Sequence, residues 1–221
     1  MKKTAVVILM AAAVLSPAAA YAHPRPGNPT TATVITKVQI DRISATEQNQ
    51  RVRDENARVV DIGDGWSMEL GIIHRASTRT PAPTPAAPAG RGNAQPAAQV
   101  TPCGVLMATP PADALPGAIT HDFQTEAYYI VSGGGTAFID GTVVNGRKST
   151  NNPDGGPNGP GCSGLAVGAR RVELTVGDVL IVPPGVIHGW ADIPDHVDYL
   201  SFRPSHDVMK NGWVNPTIAG N

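Results

Sequence analysis

The sequence predicts an all-β fold, a sandwich or barrel built from many short antiparallel strands. Three observations carry that expectation. Glycine and proline are abundant, at 24 and 21 of 221 residues, while charged residues make up only 16%, a composition that favours strands and loops over helices. From residue 59 onward, short runs rich in Val, Ile and Tyr recur at close intervals between Gly, Pro, Asn and Asp residues, as in sandwiches and barrels. Residues 66–75 also alternate, with Met68, Leu70, Ile72 and His74 in one parity and Ser67, Glu69, Gly71 and Ile73 in the other, the period of a strand.

The elements follow in order. Residues 1–22 begin Met1-Lys2-Lys3, continue through an apolar run and end Ala20-Tyr21-Ala22, the layout of a secretory signal peptide with cleavage after Ala22. The alternative, a retained anchor, is disfavoured because the run is short against a hydrocarbon core of about 30 Å. The expected location is therefore periplasmic or secreted. Loss of Lys2 and Lys3 takes the net charge from −1 to −3, which argues against a nucleic-acid partner, since that needs a basic face. Residues 23–33 are expected to be disordered. Residues 34–210 form a single domain, and residues 211–221 a C-terminal tail.

Within the domain, residues 34–43 mix β-branched and charged side chains and are expected as a first strand. Residues 44–58 are polar, and Ser44 followed by Glu47 fits a capping box, so a short surface helix is expected there. Residues 59–62, the turn Gly63-Asp64-Gly65 and residues 66–75 read as strand, turn and strand. Residues 78–101 form a Pro/Ala/Gly insertion without large apolar side chains. Strands are then expected at 127–132, 136–140 and 142–144, with Gly133-Gly134-Gly135 making a tight hairpin. A second insertion, rich in Asn and Gly, covers 145–164. Further strands are expected at 170–176, 179–182, 187–191 and 197–202.

Cys103 and Cys162 are the only cysteines. In an exported chain such a pair reads as a disulfide, worth roughly 4 kcal/mol by chain entropy for a loop of about 60 residues. Two free thiols are the alternative.

The chemistry rests on three residues. His121 and Glu126 flank the entry to one strand, and His188 begins another, far away in sequence. Two imidazoles and a carboxylate from separate strands can converge inside a barrel, a usual ligand set for Fe, Mn, Ni or Zn.

Around these residues the sequence resembles the cupin superfamily. Of its second motif, G(X)5PXG(X)2H(X)3N, the chain carries Gly177, Pro183, Gly185 and His188, with Asp192 at the closing Asn position. Of its first, G(X)5HXH(X)3,4E(X)6G, it carries His121, Glu126 and Gly133. The resemblance covers roughly residues 117–203. It implies a double-stranded β-helix, or jelly-roll, barrel with a divalent metal ion held by His121, Glu126 and His188. The family's first histidine falls at Ile119 and its opening glycine at Asp113. The remaining set of two histidines and one glutamate resembles the facial triad of non-haem iron sites, with positions open for substrate.

His74 is a candidate substitute ligand, or a buried histidine with an ordinary hydrogen bond. Gln124 is a weaker substitute. His196 and His206 are expected among solvated loop residues. Tyr128 shares parity with Glu126, and Trp190 with His188; each lines the cavity or is simply core. Ile119 completes the candidate pocket. Arg203 is either a partner for an anionic substrate or an ordinary surface arginine. The resemblance implies a metal-dependent enzyme of dioxygenase, lyase or isomerase type in the cell envelope. The alternative is a non-catalytic small-molecule or sugar-binding cupin with structural metal or none. Either would act on a small molecule, and pairing of barrels through their sheets makes a homodimer the expected assembly.

Overall fold

A computed structural model of the chain describes residues 28–45, 51–79, 101–149, 159–206 and 208–220. One helix, α1 (Lys37–Ser44), precedes eleven strands. These are β1 (Val52–Gly63), β2 (Trp66–Ala76), β3 (Pro102–Cys103), β4 (Leu115–His121), β5 (Glu126–Ile139), β6 (Thr142–Ser149), β7 (Gly161–Val167), β8 (Arg170–Thr175), β9 (Val179–Val182), β10 (His188–Asp192) and β11 (His196–His206). The all-β expectation holds. One sheet runs β1-β2-β11-β5-β9; the other runs β8-β5-β10-β4-β7-β6-β3. Every paired ladder between these strands is antiparallel.

Both sheets share β5, and this corrects the hairpin expected at Gly133-Gly134-Gly135. The N-terminal half of β5 pairs with β11 and β9, and its C-terminal half pairs with β8 and β10. The glycines therefore bend one continuous strand from sheet to sheet. Gly133 has φ +65°, and a Cβ there would sit 2.0 Å from the His196 carbonyl oxygen. Only glycine lets the two backbones approach so closely at that angle. Between the sheets lies a core of Ile73, Tyr128, Ile130, Ala137, Leu174, Ile193, Val197 and Tyr199.

The N-terminal readings change. Residues 37–44 form a helix instead of a strand. Thr36 and Gln39 make the reciprocal capping box, and Lys37 pairs with Asp41 one turn on, at 2.6 Å; local capping outweighs the β-branched content. The polar stretch expected as a helix is strand β1 from Val52 onward, while Glu47 of the expected box lies outside the described residues. Its polarity misleads because Asp54 and Asn56 turn inward to a buried guanidinium, described below. Residues 28–33 are irregular but held: Asn28 accepts a hydrogen bond from the Asp64 N–H in the β1–β2 turn, at 3.1 Å. The terminal segment also docks. Val214 bridges to Arg58, Asn215 donates to the Asn56 carbonyl at 2.8 Å, and Ile218 is wholly buried with Ile43, Ala57 and Leu70.

Residues 145–149 and 161–164 of the expected insertion belong to the paired strands β6 and β7, and β4 and β7 are strands that composition concealed. The expected signal segment 1–22, residues 23–27, residues 80–100 and residues 150–158 lie outside the described residues. The Cys103–Cys162 disulfide is formed, with Cα atoms 6.0 Å apart; it ties β3 to β7.

Candidate metal centre

Three strands from the two sheets deliver the site. β5 brings Glu126 from the first sheet. β4 ends at His121 and β10 begins at His188 in the second. The motif residues explain the placement. Pro183 and Pro184 end β9, and Gly185, at φ +78°, turns the chain while its N–H donates to the His121 carbonyl at 2.7 Å. The segment entering β10 is thereby fixed to the end of β4, and His188 points inward. At the first-motif position where the family has histidine, Ile119 pairs in register with His188. An apolar side chain therefore stands beside the ligand set where a fourth ligand would be.

His121, Glu126 and His188 each offer one ligand atom, all within 4.8 Å of one another, and the three residues are 5%, 2% and 1% exposed. Glu126 Oε2 lies 3.1 Å from His121 Nε2 and 2.9 Å from His188 Nε2. The Tyr128 hydroxyl donates to the same oxygen at 3.2 Å. The other oxygen, Oε1, is taken by Ser201 Oγ at 2.7 Å and Arg203 Nε at 2.9 Å. The carboxylate is thus locked in one orientation, with Oε2 facing both rings.

Arg203 is not the surface residue or substrate partner that its sequence position left open. It is fully buried among three carboxylates. Asp54 takes it bidentately at 2.9 Å on each oxygen, Glu69 at 2.9 Å and Glu126 at 2.8 Å, and Asn56 accepts at 3.2 Å. Its alternation with Ser201 and Tyr199 along β11 was the one sequence signal for an inward face. Burial alone would raise the Glu126 pKa, but the Arg203 charge and the facing imidazoles of His121 and His188 outweigh it and hold the carboxyl well below the usual range. For Glu69, burial prevails over Arg203 and Gln124 and pushes the carboxyl up to about 7.

The donor set fits a divalent ion. His188 Nδ1 lies 3.2 Å from the Val186 carbonyl; a proton there leaves Nε2 as a bare lone pair, the tautomer a metal ligand needs. That Nε2 is buried and makes no hydrogen bond of acceptable geometry. Nε2 and the ionised Oε2 thus lie 2.9 Å apart without a hydrogen bond of acceptable geometry between them. A buried arrangement of this kind calls for a cation between them.

Other candidates fall differently. Tyr128 is inside, as its parity with Glu126 suggested. Trp190 is half-buried against the core, 6.0 Å from the Tyr199 ring centroid, and its Nε1 is buried without a partner. His74 is on the opposite face of β2, bonded to Asp198 at 2.6 Å, so it is not a substitute ligand. The inward parity of β2 is Ser67, Glu69, Gly71 and Ile73. The apolar parity Leu70 and Ile72 faces out under α1 and the C-terminal segment, a cover the sequence did not reveal. Gln124 is buried and donates to Glu69 at 3.0 Å. His196 and His206 are the ends of β11; His196 contacts Ser132 and Asp195 at 2.7 and 2.6 Å. Asp192, at the family's Asn position, receives Thr78 and Arg79 at 3.1 and 2.6 Å.

Neither protein-family models nor curated proteins give a match to the chain. Among solved structures it is similar to an uncharacterized conserved protein with a double-stranded beta-helix domain from Klebsiella pneumoniae subsp. pneumoniae MGH 78578, at 12% identity and a TM-score of 0.32, covering 80% of this chain and 94% of that one. A likeness of that size adds nothing to the site, and the fold stands on the strand pairings themselves.

Proposed function

We propose that this chain is an exported cupin that holds a divalent metal ion at His121, Glu126 and His188 and uses it on a small oxygenated molecule, as an enzyme of dioxygenase, lyase or isomerase type. The observation that carries the reading is the buried, unpartnered His188 Nε2 set against the Glu126 carboxylate. An ion bound there supplies Lewis acidity, polarising an oxygen of its ligand. The chain's own residues do the rest. Ser201 and Arg203 fix the carboxylate plane through Oε1. The Val186 carbonyl sets the His188 tautomer. Tyr128 places a hydroxyl beside the ligand oxygen. Ile119 keeps a fourth protein ligand away, which leaves coordination positions for substrate. The formed disulfide is compatible with an exported protein.

A second reading is favoured by the depth of burial. A triad so little exposed suits a structural ion in a metal-stabilised binding barrel. Cobalt(II) absorption separates the two. The enzyme reading expects metal-free protein to take up one equivalent of Co(II) with a weak visible band that shifts when azide is added. An intense four-coordinate band insensitive to azide would establish the structural role instead.

A further inference from the structure

The outer face of the first sheet carries a cavity that the metal centre does not use. Helix α1 packs on β1 and β2. Ile43 is buried there with Ala57 and Leu70, and Arg53 Nη1 donates to the Ser44 carbonyl at the end of the helix. Beside this contact lies a cavity of about 240 Å³, walled by Ile40 of α1, Ile72 and His74 of β2, Val131 of β5, and Asp198 and Leu200 of β11. On β2 and β11 these residues have the opposite parity from Glu69 and Arg203. The cavity is therefore across the sheet from His121, Glu126 and His188.

His74 is the polar group set to act in it. Its Nδ1 lies 2.6 Å from Asp198 Oδ1, and its ring stands nearly parallel to that of His196, with centroids 6.3 Å apart. A carboxylate on Nδ1 keeps the proton on that nitrogen and leaves Nε2 as an acceptor. Among the described residues no group bonds Nε2. The charges around the cavity are matched. Asp198 faces His74, Asp41 pairs with Lys37 at 2.6 Å, and Arg53 and Glu55 line the space together. An ion entering it would leave water for a wall with no counter-charge left over, which is costly. An uncharged guest with an apolar body meets Ile40, Ile72, Val131 and Leu200 instead. A cavity of about 150 Å³ holds benzene, so this one has room for a single ring and its substituent.

We infer that the cavity between α1 and the first sheet binds a small uncharged monocyclic phenol, its ring on the four aliphatic side chains and its hydroxyl donating to His74 Nε2. The site stands apart from the metal-centre reading and shares no residue with it.

The test is titration calorimetry of the purified protein with phenol, anisole, benzylamine and benzoate at neutral pH. The inference expects one phenol per chain, bound at least tenfold more tightly than anisole, which keeps the ring and the oxygen but cannot donate. Benzylamine, a cation at this pH, and benzoate, an anion, should bind more weakly than phenol. His74→Phe, which keeps a ring and removes the acceptor, should bring phenol down to the affinity of anisole and leave anisole itself unchanged. Asp198→Asn, a milder change, should also weaken phenol tenfold or more, because it removes the carboxylate that fixes the tautomer. Val131→Trp, at a wall position that is 44% exposed, should block phenol and anisole alike. No phenol binding, equal affinity for anisole, or phenol binding unchanged in His74→Phe and Asp198→Asn would overturn the inference. Tighter binding of either ion would overturn the uncharged assignment.

Discussion

At the scale of single residues, the interior depends on which carboxylates are charged. Asp54, Glu69 and Glu126 converge on Arg203, and three negative charges cannot all be offset by one guanidinium. The two glutamates settle this in opposite directions. Glu126, with Arg203 and two imidazoles, stays ionised; Glu69 is pushed up to about 7 by burial. The sign for stability follows. Between the ordinary value of 4.5 and about 7, the folded protein keeps a proton on Glu69 that the unfolded chain has released, so Glu69 lowers stability as pH rises through that window. Glu126 acts oppositely, adding stability above 4.5 that is lost as pH falls through its depressed value. Urea unfolding at pH 5 and pH 7.5 should therefore show a larger fall for the parent than for Glu69→Gln, by on the order of 3 kcal/mol at most. An identical fall in both proteins would mean Glu69 is ionised throughout. His121, Glu126 and His188 were legible at this scale because their spacing sits in a frame of glycines and prolines. The Arg203 network was not: its three carboxylates come from β1, β2 and β5, and no local pattern in the sequence pairs them.

At the scale of elements, strand type and parity decide what faces the site. β5 is the central case. Its glycines read equally well as a hairpin, and only the pairing of each half with a different sheet shows that they bend one strand. Gly133→Ala tests this directly. A methyl group would meet the His196 carbonyl at a positive φ, so the variant should lose more than about 2 kcal/mol in urea unfolding. A loss under half of that would mean that the bend tolerates a side chain. The same scale explains the errors at the N-terminus. β1 carries Asp54 and Asn56 on its inner face, so a pattern rule that puts polar residues outside reads it as a surface helix. On β2 the apolar parity faces α1 and the C-terminal segment, so the rule that places apolar residues toward the barrel interior put His74 on the wrong side. Both failures have one cause: this barrel is polar inside around Arg203 and apolar outside where other segments cover it.

At the scale of the whole molecule, the strands from 126 onward, β7 apart, were readable because turn residues punctuate them, and their antiparallel order follows from short connections. The disulfide was readable from the cysteine count and the expected export, and joining β3 to β7 holds the edge of the second sheet. The cover formed by α1, residues 28–33 and residues 208–220 was unreadable, since its contacts span nearly the full chain: Asn56 with Asn215, and Ile43 with Ile218. What the assembled molecule produces is a pair of sheets that meet at one buried point, where each contributes ligand atoms to a single cluster. The measurement that bears most directly on this is metal content by elemental analysis, on protein purified without chelator or affinity metal, with Glu126→Ala beside the parent. The account predicts about one Fe, Mn, Ni or Zn per parent chain and a loss of at least tenfold in the variant. No metal in the parent, even after dialysis against each ion, or equal content in both proteins, would contradict it.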